Sequence, residues 1–232
     1  VFGGGGCAHV PRSAAEKLLR PLESLTVGNR IGILAASQAK NAPKPRDVRL
    51  RGKPAAAVDS GDVRESLAGV RSQQGQVASV HADERAVAVL GEYDVVVVGG
   101  GTGGAPAGIA AARQGARTLV LEYLHGLGGV GTTGYISNYY YGYIKGFTKE
   151  VDDGVAALGG DGKPRRGGWN VEWKKEWYRK QLREAGADIW FGVLGCGAFV
   201  QNGCVKGVVV ATPEGRGVIL AKVVIDSTGN AD

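Results

Sequence analysis

The chain has 232 residues, of which 44% are hydrophobic and 22% are charged, and it carries a net charge of +6 at pH 7. This length allows one large domain, or one domain with a sizeable appendage. The 40 glycines follow no fixed period, which excludes collagen, and no segment approaches the roughly 20 consecutive apolar residues of a membrane-spanning helix.

The positive charge fits an anionic ligand or a basic surface, but it does not by itself indicate nucleic-acid binding. The basic residues do not combine with aromatic residues into a recognisable nucleic-acid module. The nearest run, KPRRGGW at 163–169, is typical of a solvated loop. We therefore predict that neither a nucleic acid nor a membrane span is involved.

The three cysteines are Cys7, Cys196 and Cys204, and no C-x-x-C motif occurs. An odd number without metal-ligand spacing predicts neither a disulfide framework nor a metal site. Cys196 and Cys204 are expected to be small buried apolar residues. This usage favours a reducing compartment, and we predict a cytoplasmic location. The chain starts with Val and contains no Met, so we expect its true start to be missing.

Residues 1–91 are predicted to form an irregular, partly helical N-terminal extension that wraps a surface or a partner. Their hydrophobic periodicity is poor, and Pro, Gly, Ser and Ala are frequent. In SAAEKLLRPLESL at 13–25, Ser13 and Glu16 have the spacing of a capping box, and Pro21 is expected to limit the helix.

Residues 92–232 have a different pattern, which predicts an α/β domain with a Rossmann-like parallel sheet. DVVVV at 94–98 is a β-branched apolar run, as expected of a central strand buried on both faces. APAGIAAARQGA then predicts a helix, and RTLVLEY a second buried strand. A strand, a glycine turn, a helix and a strand within about 30 residues form a βαβ unit.

The later elements predict a sheet with an inserted β-hairpin or meander. A Gly/Tyr segment at 126–147 and a Gly-rich loop at 154–168 precede NVEWKKEWYRKQLREAG, an amphipathic helix ending at Gly186. ADIWFGVL predicts a strand, and two apolar runs across Asn202-Gly203 predict a hairpin with a two-residue turn. GVILAKVVIDSTG predicts one more strand.

The glycines at the end of the first strand have the spacing of a dinucleotide-binding turn. Gly99 allows a tight turn, Gly101 lets a pyrophosphate approach the backbone, and Gly104 lets the helix pack on the sheet. Thr102 and Gly103 lie at the start of that helix, whose free N–H groups favour phosphate. Glu122 follows Gly104 by 18 residues, close to the usual spacing of a carboxylate that binds ribose hydroxyls.

Three motifs resemble one family of flavoproteins. DVVVVGGGTGGAPAGIAAARQGARTLVLE, then LGGVGTTG, then VVIDSTGNAD resemble the FAD-dependent oxidoreductases of the glutathione-reductase-like Rossmann superfamily. The resemblance covers about 93–232 and does not include 1–91. It implies an FAD-binding domain, with cofactor contacts at further positions: Gly128 and Gly129 near the pyrophosphate, Thr132, Thr133 and Gly134 toward the flavin, Leu194 or Gly195 at the adenine, and Asp226, Gly229 and Asn230 at the strand-end motif.

Two departures from the family pattern affect the prediction. The family continues past GNAD with a substrate domain and a later cofactor-binding segment, whereas this chain ends at Asp232. We therefore expect an incomplete FAD-binding domain, completed by a second polypeptide in a hetero-oligomer of processed or separately encoded chains. His125 lies in a region where some flavoproteins attach the flavin covalently, but a surface histidine is the favoured interpretation.

The sequence identifies no catalytic residue. YISNYYYGYIKGF at 135–147 is either a substrate wall, with Lys145 for an anion, or an aromatic cluster or subunit interface; the second interpretation is favoured. The predicted function is a flavin-dependent dehydrogenase or oxidase acting on a small polar, sugar-like substrate. A non-catalytic assembly subunit and an NAD-dependent enzyme remain as alternatives.

Overall fold

A computed structural model describes residues 2–3, 11–18, 20–43, 61–65, 86–159 and 168–229. Its strands are β1 (Phe2–Gly3), β2 (Asp62–Arg64), β3 (Ala88–Val98), β4 (Thr118–Glu122), β5 (Asp188–Phe191), β6 (Leu194–Gln201), β7 (Cys204–Thr212) and β8 (Gly215–Asp226). Its helices are α1 (Arg12–Leu18), α2 (Pro21–Asn41), α3 (Gly104–Arg113), α4 (Phe147–Leu158) and α5 (Val171–Glu184), with a 3₁₀ turn at Gly129–Gly131.

The strands form one sheet in the order β2-β6-β7-β8-β3-β4-β5, and β1 pairs with β8 outside this path. The pairs β8–β3, β3–β4, β4–β5 and β1–β8 are parallel. The pairs β2–β6, β6–β7 and β7–β8 are antiparallel. The predicted α/β class, with a parallel sheet and an inserted meander, is confirmed.

The central strand β3 is buried on both faces, as its sequence predicts. Val95 and Val97 pack with the helices on one face of the sheet. Val96 and Val98 pack on the other face with meander residues such as Val208. Because the strand is covered on both sides, its carboxyl end is a rigid base for the turn that follows.

The N-terminal region contains a 21-residue helix, α2, that its sequence did not indicate. Pro21 does lie beyond the end of α1, but it also starts α2, since proline fits the first position of a helix. The buried face of α2 does have helical periodicity, but it is made mostly of Gly and Ala: Leu22, Leu25, Gly28, Gly32, Ala35, Ala36 and Ala39. Such small residues carry a weak hydropathy signal.

Helix α4 corrects the predicted loop at 154–168. Gly154 lies within this helix, and a Cβ there would be 1.8 Å from Nε1 of Trp177 on α5. The glycine thus makes room for a neighbouring aromatic ring and does not mark a loop. Residues 160–167, which include most of the basic run, lie outside the described residues.

The predictions for α5 and the hairpin are confirmed. Helix α5 begins after Asn170, whose side-chain oxygen accepts hydrogen bonds from the N–H groups of Glu172 and Trp173. The hairpin turn has positive φ at both Asn202 (50°) and Gly203 (74°), the geometry that Asn-Gly favours. Both flanking cysteines are free, but Cys204 is exposed and Cys196 is only partly buried, against the expectation that both are buried.

Candidate functional site

The turn between β3 and α3 requires glycine at its first and last positions. Gly99 has φ of +90°, and a Cβ there would lie 2.5 Å from the backbone oxygen of Ser227. A Cβ on Gly104 would lie 1.8 Å from the backbone oxygen of Gly99. The chain therefore closes tightly, with the start of α3 against the end of β3.

Gly101 differs from these two glycines because the space beside it is open. The nearest heavy atom to a Cβ there is Cα of Gly129, at 4.0 Å. No described side chain caps the first turn of α3, which begins after Gly103. Uncapped N–H groups at a helix N-terminus are a favourable environment for phosphate, so the turn offers both space and hydrogen-bond donors.

Helix α2 packs against this turn at backbone distance. A Cβ on Gly28 would lie 2.3 Å from the backbone oxygen of Gly103, and one on Gly32 would lie 2.2 Å from that of Ala107. The two glycines are four residues apart, so they form one strip on the helix. Neither residue was predicted from the sequence, in which their four-residue spacing was the available signal.

Glu122 ends β4 beside the same turn. One carboxylate oxygen accepts the N–H of Gly100 at 2.8 Å, and the other accepts the N–H of Leu124 at 2.8 Å. Each oxygen has a second lone pair, so the carboxylate retains acceptor capacity for a ribose hydroxyl. It also has a structural role that its sequence position did not reveal.

A second glycine loop lies directly against the turn. The N–H of Gly128 donates to the backbone oxygen of Gly100 at 2.9 Å. A Cβ on Gly129 would lie 3.0 Å from the backbone nitrogen of Thr102, whose hydroxyl in turn donates to the oxygen of Gly128 at 3.3 Å. Residues that are 26 positions apart thus form one continuous surface.

The threonines of this loop hold its backbone. Thr132 is fully buried, and its hydroxyl donates to the backbone oxygen of Leu127. Thr133 donates to the oxygen of Gly129 at 3.0 Å, and a Cβ on Gly134 would collide with Val130. The side chain of Thr132 therefore contributes to any cofactor site by fixing the loop.

The end of β8 lies on the other side of the turn. The N–H of Ser227 donates to the oxygen of Val98 at 2.8 Å, and its hydroxyl would be 3.4 Å from a Cβ on Gly103. Asp226 accepts two hydrogen bonds from Thr228, so its carboxylate stabilises the strand end. Ser227 is a further neighbour of the turn that the sequence analysis did not single out.

Three of the remaining candidates lie around this centre. Gly195 packs against Val98 at the end of β3, and Gly229 is exposed with φ of +100°. His125 is exposed, as a surface histidine is expected to be. Asn230 lies outside the described residues.

Comparison with known proteins identifies the family. The model of the family described as FAD dependent oxidoreductase matches residues 94–232, more than half of the chain. The chain belongs to the FAD-dependent oxidoreductase family. FAD is therefore its cofactor, which decides between the flavin and nicotinamide alternatives.

Solved structures with a similar fold include THI4 of Thermovibrio ammonificans, with 24% identity over 59% of this chain and 57% of that chain, and a TM-score of 0.40. A geranylgeranyl bacteriochlorophyll reductase-like protein of Thermoplasma acidophilum shares 25% identity over 59% of this chain and 39% of its own, with a TM-score of 0.40. This chain thus spans less than two thirds of either protein. No curated protein matches the sequence significantly.

The residues of this FAD-dependent oxidoreductase family member fit the cofactor that the family uses. The turn at 99–104 presents an uncapped helix N-terminus and the open position at Gly101, which suits a pyrophosphate. Glu122 retains acceptor capacity beside the turn, which suits a hydroxyl donor such as that of a ribose. Among the described residues, no helix has the length and apolar character to cross a membrane.

Proposed function

We propose that the turn at 99–104, Glu122 and the loop at 128–134 together form the FAD site of a flavin-dependent oxidoreductase. The observation that carries this proposal is the direct contact between the two glycine loops, through the Gly128–Gly100 hydrogen bond of 2.9 Å. The turn holds the pyrophosphate, Glu122 accepts from the ribose, and the loop extends the surface toward the flavin. Gly195 and Gly229 border the same site.

The protein's part in the reaction is to bind, orient and shield the cofactor. Bound FAD supplies the two-electron chemistry. The loop at 128–134 fixes one side of the cofactor, because Thr132 and Thr133 hold its backbone from within. We propose a dehydrogenase or oxidase that removes hydrogen from a carbon beside a hydroxyl or amine, with a small polar, sugar-like substrate, within the glutathione-reductase-like superfamily.

An aromatic surface beside the loop supports a further part of this proposal. Tyr140, Tyr141 and Tyr143 are 73%, 68% and 85% exposed. Tyrosine is enriched where proteins meet each other. We propose that this surface meets a second polypeptide that carries the substrate domain and the catalytic base, and that the assembly is cytoplasmic.

The purified protein's absorbance spectrum tests the cofactor assignment. A flavin band near about 450 nm that bleaches under an anaerobic reductant is expected of an FAD-dependent oxidoreductase. Folded protein that is colourless and takes up no added FAD would contradict the proposal. That outcome would instead favour a non-catalytic assembly subunit, which keeps the nucleotide-binding fold but binds no flavin.

The intact mass of the native particle tests the proposed partner. A native mass that exceeds that of this chain by a second, different polypeptide is expected. A native particle made only of copies of this chain would contradict the hetero-oligomer. If a second polypeptide is present, sequencing it would locate the candidate catalytic base.

A further inference from the structure

Lys174 is a buried cation with aromatic rings around it. It lies on α5 and is 3% exposed. Its Nζ atom lies 3.4 Å from the ring centroid of Trp169 and 4.9 Å from that of Tyr139. The same atom donates to the hydroxyl oxygen of Tyr139 at 3.1 Å. Ring faces attract a cation, so this arrangement favours the ammonium form against the cost of burial.

The Trp169 ring connects this cation to the loop at 128–134. Its indole N–H donates to the backbone oxygen of Gly131 at 2.6 Å. A Cβ on Gly131 would lie 3.3 Å from the Trp169 ring and 3.7 Å from Nζ of Lys174. The lysine and the indole therefore lie immediately beneath the 3₁₀ turn of the proposed FAD site.

The titratable groups around Lys174 lie in the segment after the loop, on α4 and on α5 itself. Tyr139, in the segment after the loop, donates its hydroxyl to Asp152 of α4 at 3.1 Å. Burial raises the pKa of Asp152 and of the fully buried Tyr178 of α5. Farther out on α4, Lys149 and Asp153 pair with each other at 2.6 Å.

These groups set the protonation state of Lys174. Burial lowers the pKa of Lys174 to about 7, and the nearby Asp152 carboxylate acts in the opposite direction. The lysine therefore changes charge close to neutral pH. A bound pyrophosphate is anionic, so it adds to the forces that favour the ammonium form.

We propose that Lys174 and Trp169 are positioning residues that hold the loop at 128–134 in its FAD-binding conformation, and that the ammonium form of Lys174 is the form that does so. The inference rests on the proposed function of this loop. The ammonium group contacts the face of the Trp169 ring. The indole N–H of Trp169 in turn donates to the backbone oxygen of Gly131. When the proton leaves, the cation–π attraction is lost, and the indole is freer to move away from the loop.

The protonation state of Lys174 sets the direction in which FAD affinity should change with pH. Protonated Lys174 predominates at pH 6 and neutral Lys174 at pH 9, because its pKa is about 7. FAD affinity should therefore fall as the pH rises from 6 to 9. We expect the dissociation constant of the wild-type protein to increase roughly tenfold over this range, the size of a desolvated cation–π contact.

Lys174→Met tests the charge with little change in volume, and Lys180→Met is its matched control. Lys180 lies on the same helix, where it is exposed and faces Glu184 at 3.8 Å. FAD titrations followed by flavin fluorescence at pH 6, 7.5 and 9 should show Lys180→Met behaving as the wild type. Lys174→Met should bind weakly at pH 6, as the wild type does at pH 9, with a flat pH profile.

Trp169→Phe tests the second contact, because phenylalanine keeps a ring face but removes the N–H donor. We expect affinity to fall roughly fivefold, about the net value of one hydrogen bond, while the pH dependence remains. Trp190→Phe on β5 is the control with the same change of side chain. Circular dichroism of each variant confirms that it is folded.

The outcomes separate this inference from the function on which it rests. Folded Lys174→Met with the affinity and pH profile of the wild type would overturn the positioning role, even if FAD binds well. So would Trp169→Phe with unchanged affinity. If the wild-type protein binds no FAD at any pH, the proposed function fails, and this inference fails with it.

Discussion

The two glycine loops of the proposed FAD site lie against each other but are held in different ways. The turn at 99–104 is fixed by backbone packing, in which Gly99 meets Ser227, Gly104 meets Gly99, and Gly28 meets Gly103. The loop at 128–134 is fixed by hydrogen bonds from the side chains of its own Thr132 and Thr133, of Thr102 and of Trp169. The first arrangement depends on the absence of side chains. The second combines side-chain donors with glycine positions such as Gly134, where a Cβ would collide with Val130.

This difference determines how each loop responds to substitution. Added atoms at Gly99 or Gly104 disrupt the turn, because rigid backbone surrounds these two positions and cannot yield. Removed atoms or charges loosen the loop, because its partners are polar groups with specific geometry. The expected effects should therefore be largest where a Cβ enters the turn and graded where a side-chain contact is lost.

Gly104→Val should have the largest effect. Its Cβ would lie 1.8 Å from the Gly99 oxygen, and neither backbone can move without displacing β3 or α3. We expect a loss of more than about 4 kcal/mol in the free energy of unfolding, measured by thermal or urea denaturation. Gly101→Ala is the control, since that position is open and the fold should be unchanged. If Gly104→Val has the same free energy of unfolding as Gly101→Ala, the two glycines do not differ as proposed.

Gly28→Val should have the next largest effect, because its side chain would meet the same turn from α2. A Cβ there would lie 2.3 Å from the Gly103 oxygen, so α2 must shift away from α3. We expect a loss of about 3 kcal/mol in unfolding free energy together with weaker FAD binding. Gln38→Ala, on the exposed face of α2, should change neither quantity. Normal FAD affinity in a destabilised Gly28→Val would show that α2 supports the fold without shaping the site.

Lys174 should make the stability of the FAD-free protein depend on pH. Burial lowers its pKa from 10.5 to about 7, so between these values the unfolded chain binds a proton that the folded chain does not. The free energy of unfolding should therefore rise with pH in this window, by at most about 1.4 kcal/mol per pH unit. Urea denaturation at pH 7 and 9 should show a smaller rise in Lys174→Met, and an identical rise would contradict this assignment.

Asn170→Ala should have the smallest effect, because it removes a helix cap away from the turn. Asn170 accepts two N–H groups at the start of α5, the helix that carries Lys174. We expect a loss of about 1 kcal/mol in unfolding free energy, and Asn170→Asp should largely restore it. A loss of unfolding free energy as large as that of Gly28→Val would show that the start of α5, which supports the loop at 128–134, is as sensitive to substitution as the turn.

The same difference explains what could be predicted from the sequence. The turn was predictable because Gly99, Gly101 and Gly104 follow a strand within one short segment, and Glu122 follows at a known spacing. The partners that hold these residues were not. Gly28 and Gly32 precede the turn by more than 65 positions and carry no hydrophobic signal. Trp169 and Lys174, which hold the loop, resemble ordinary residues near a helix start.

Helices α4 and α2 show the same limit on what the sequence predicts about the fold. In both, glycines that suggested irregular chain prove to lie inside helices, where Gly154 admits Trp177 and Gly28 admits the backbone of Gly103. Whether a glycine marks irregular chain or makes room inside a helix depends on the residue that packs against it. A single sequence does not identify that residue. The strands of the α/β domain and the Asn202-Gly203 hairpin were predicted well because their signals are local, whereas β1 and β2 of the N-terminal region were not predicted.

The central claim is that the turn at 99–104 binds the pyrophosphate of FAD, and Gly101→Val tests it most directly. Among the described residues, the heavy atom nearest to a Cβ at Gly101 is 4.0 Å away, so the variant should fold while its side chain fills the space that a phosphate needs. Titration of both proteins with FAD should give stoichiometric binding by the wild type and a loss of at least about a hundredfold in affinity in the variant. Wild-type affinity in folded Gly101→Val would contradict the account.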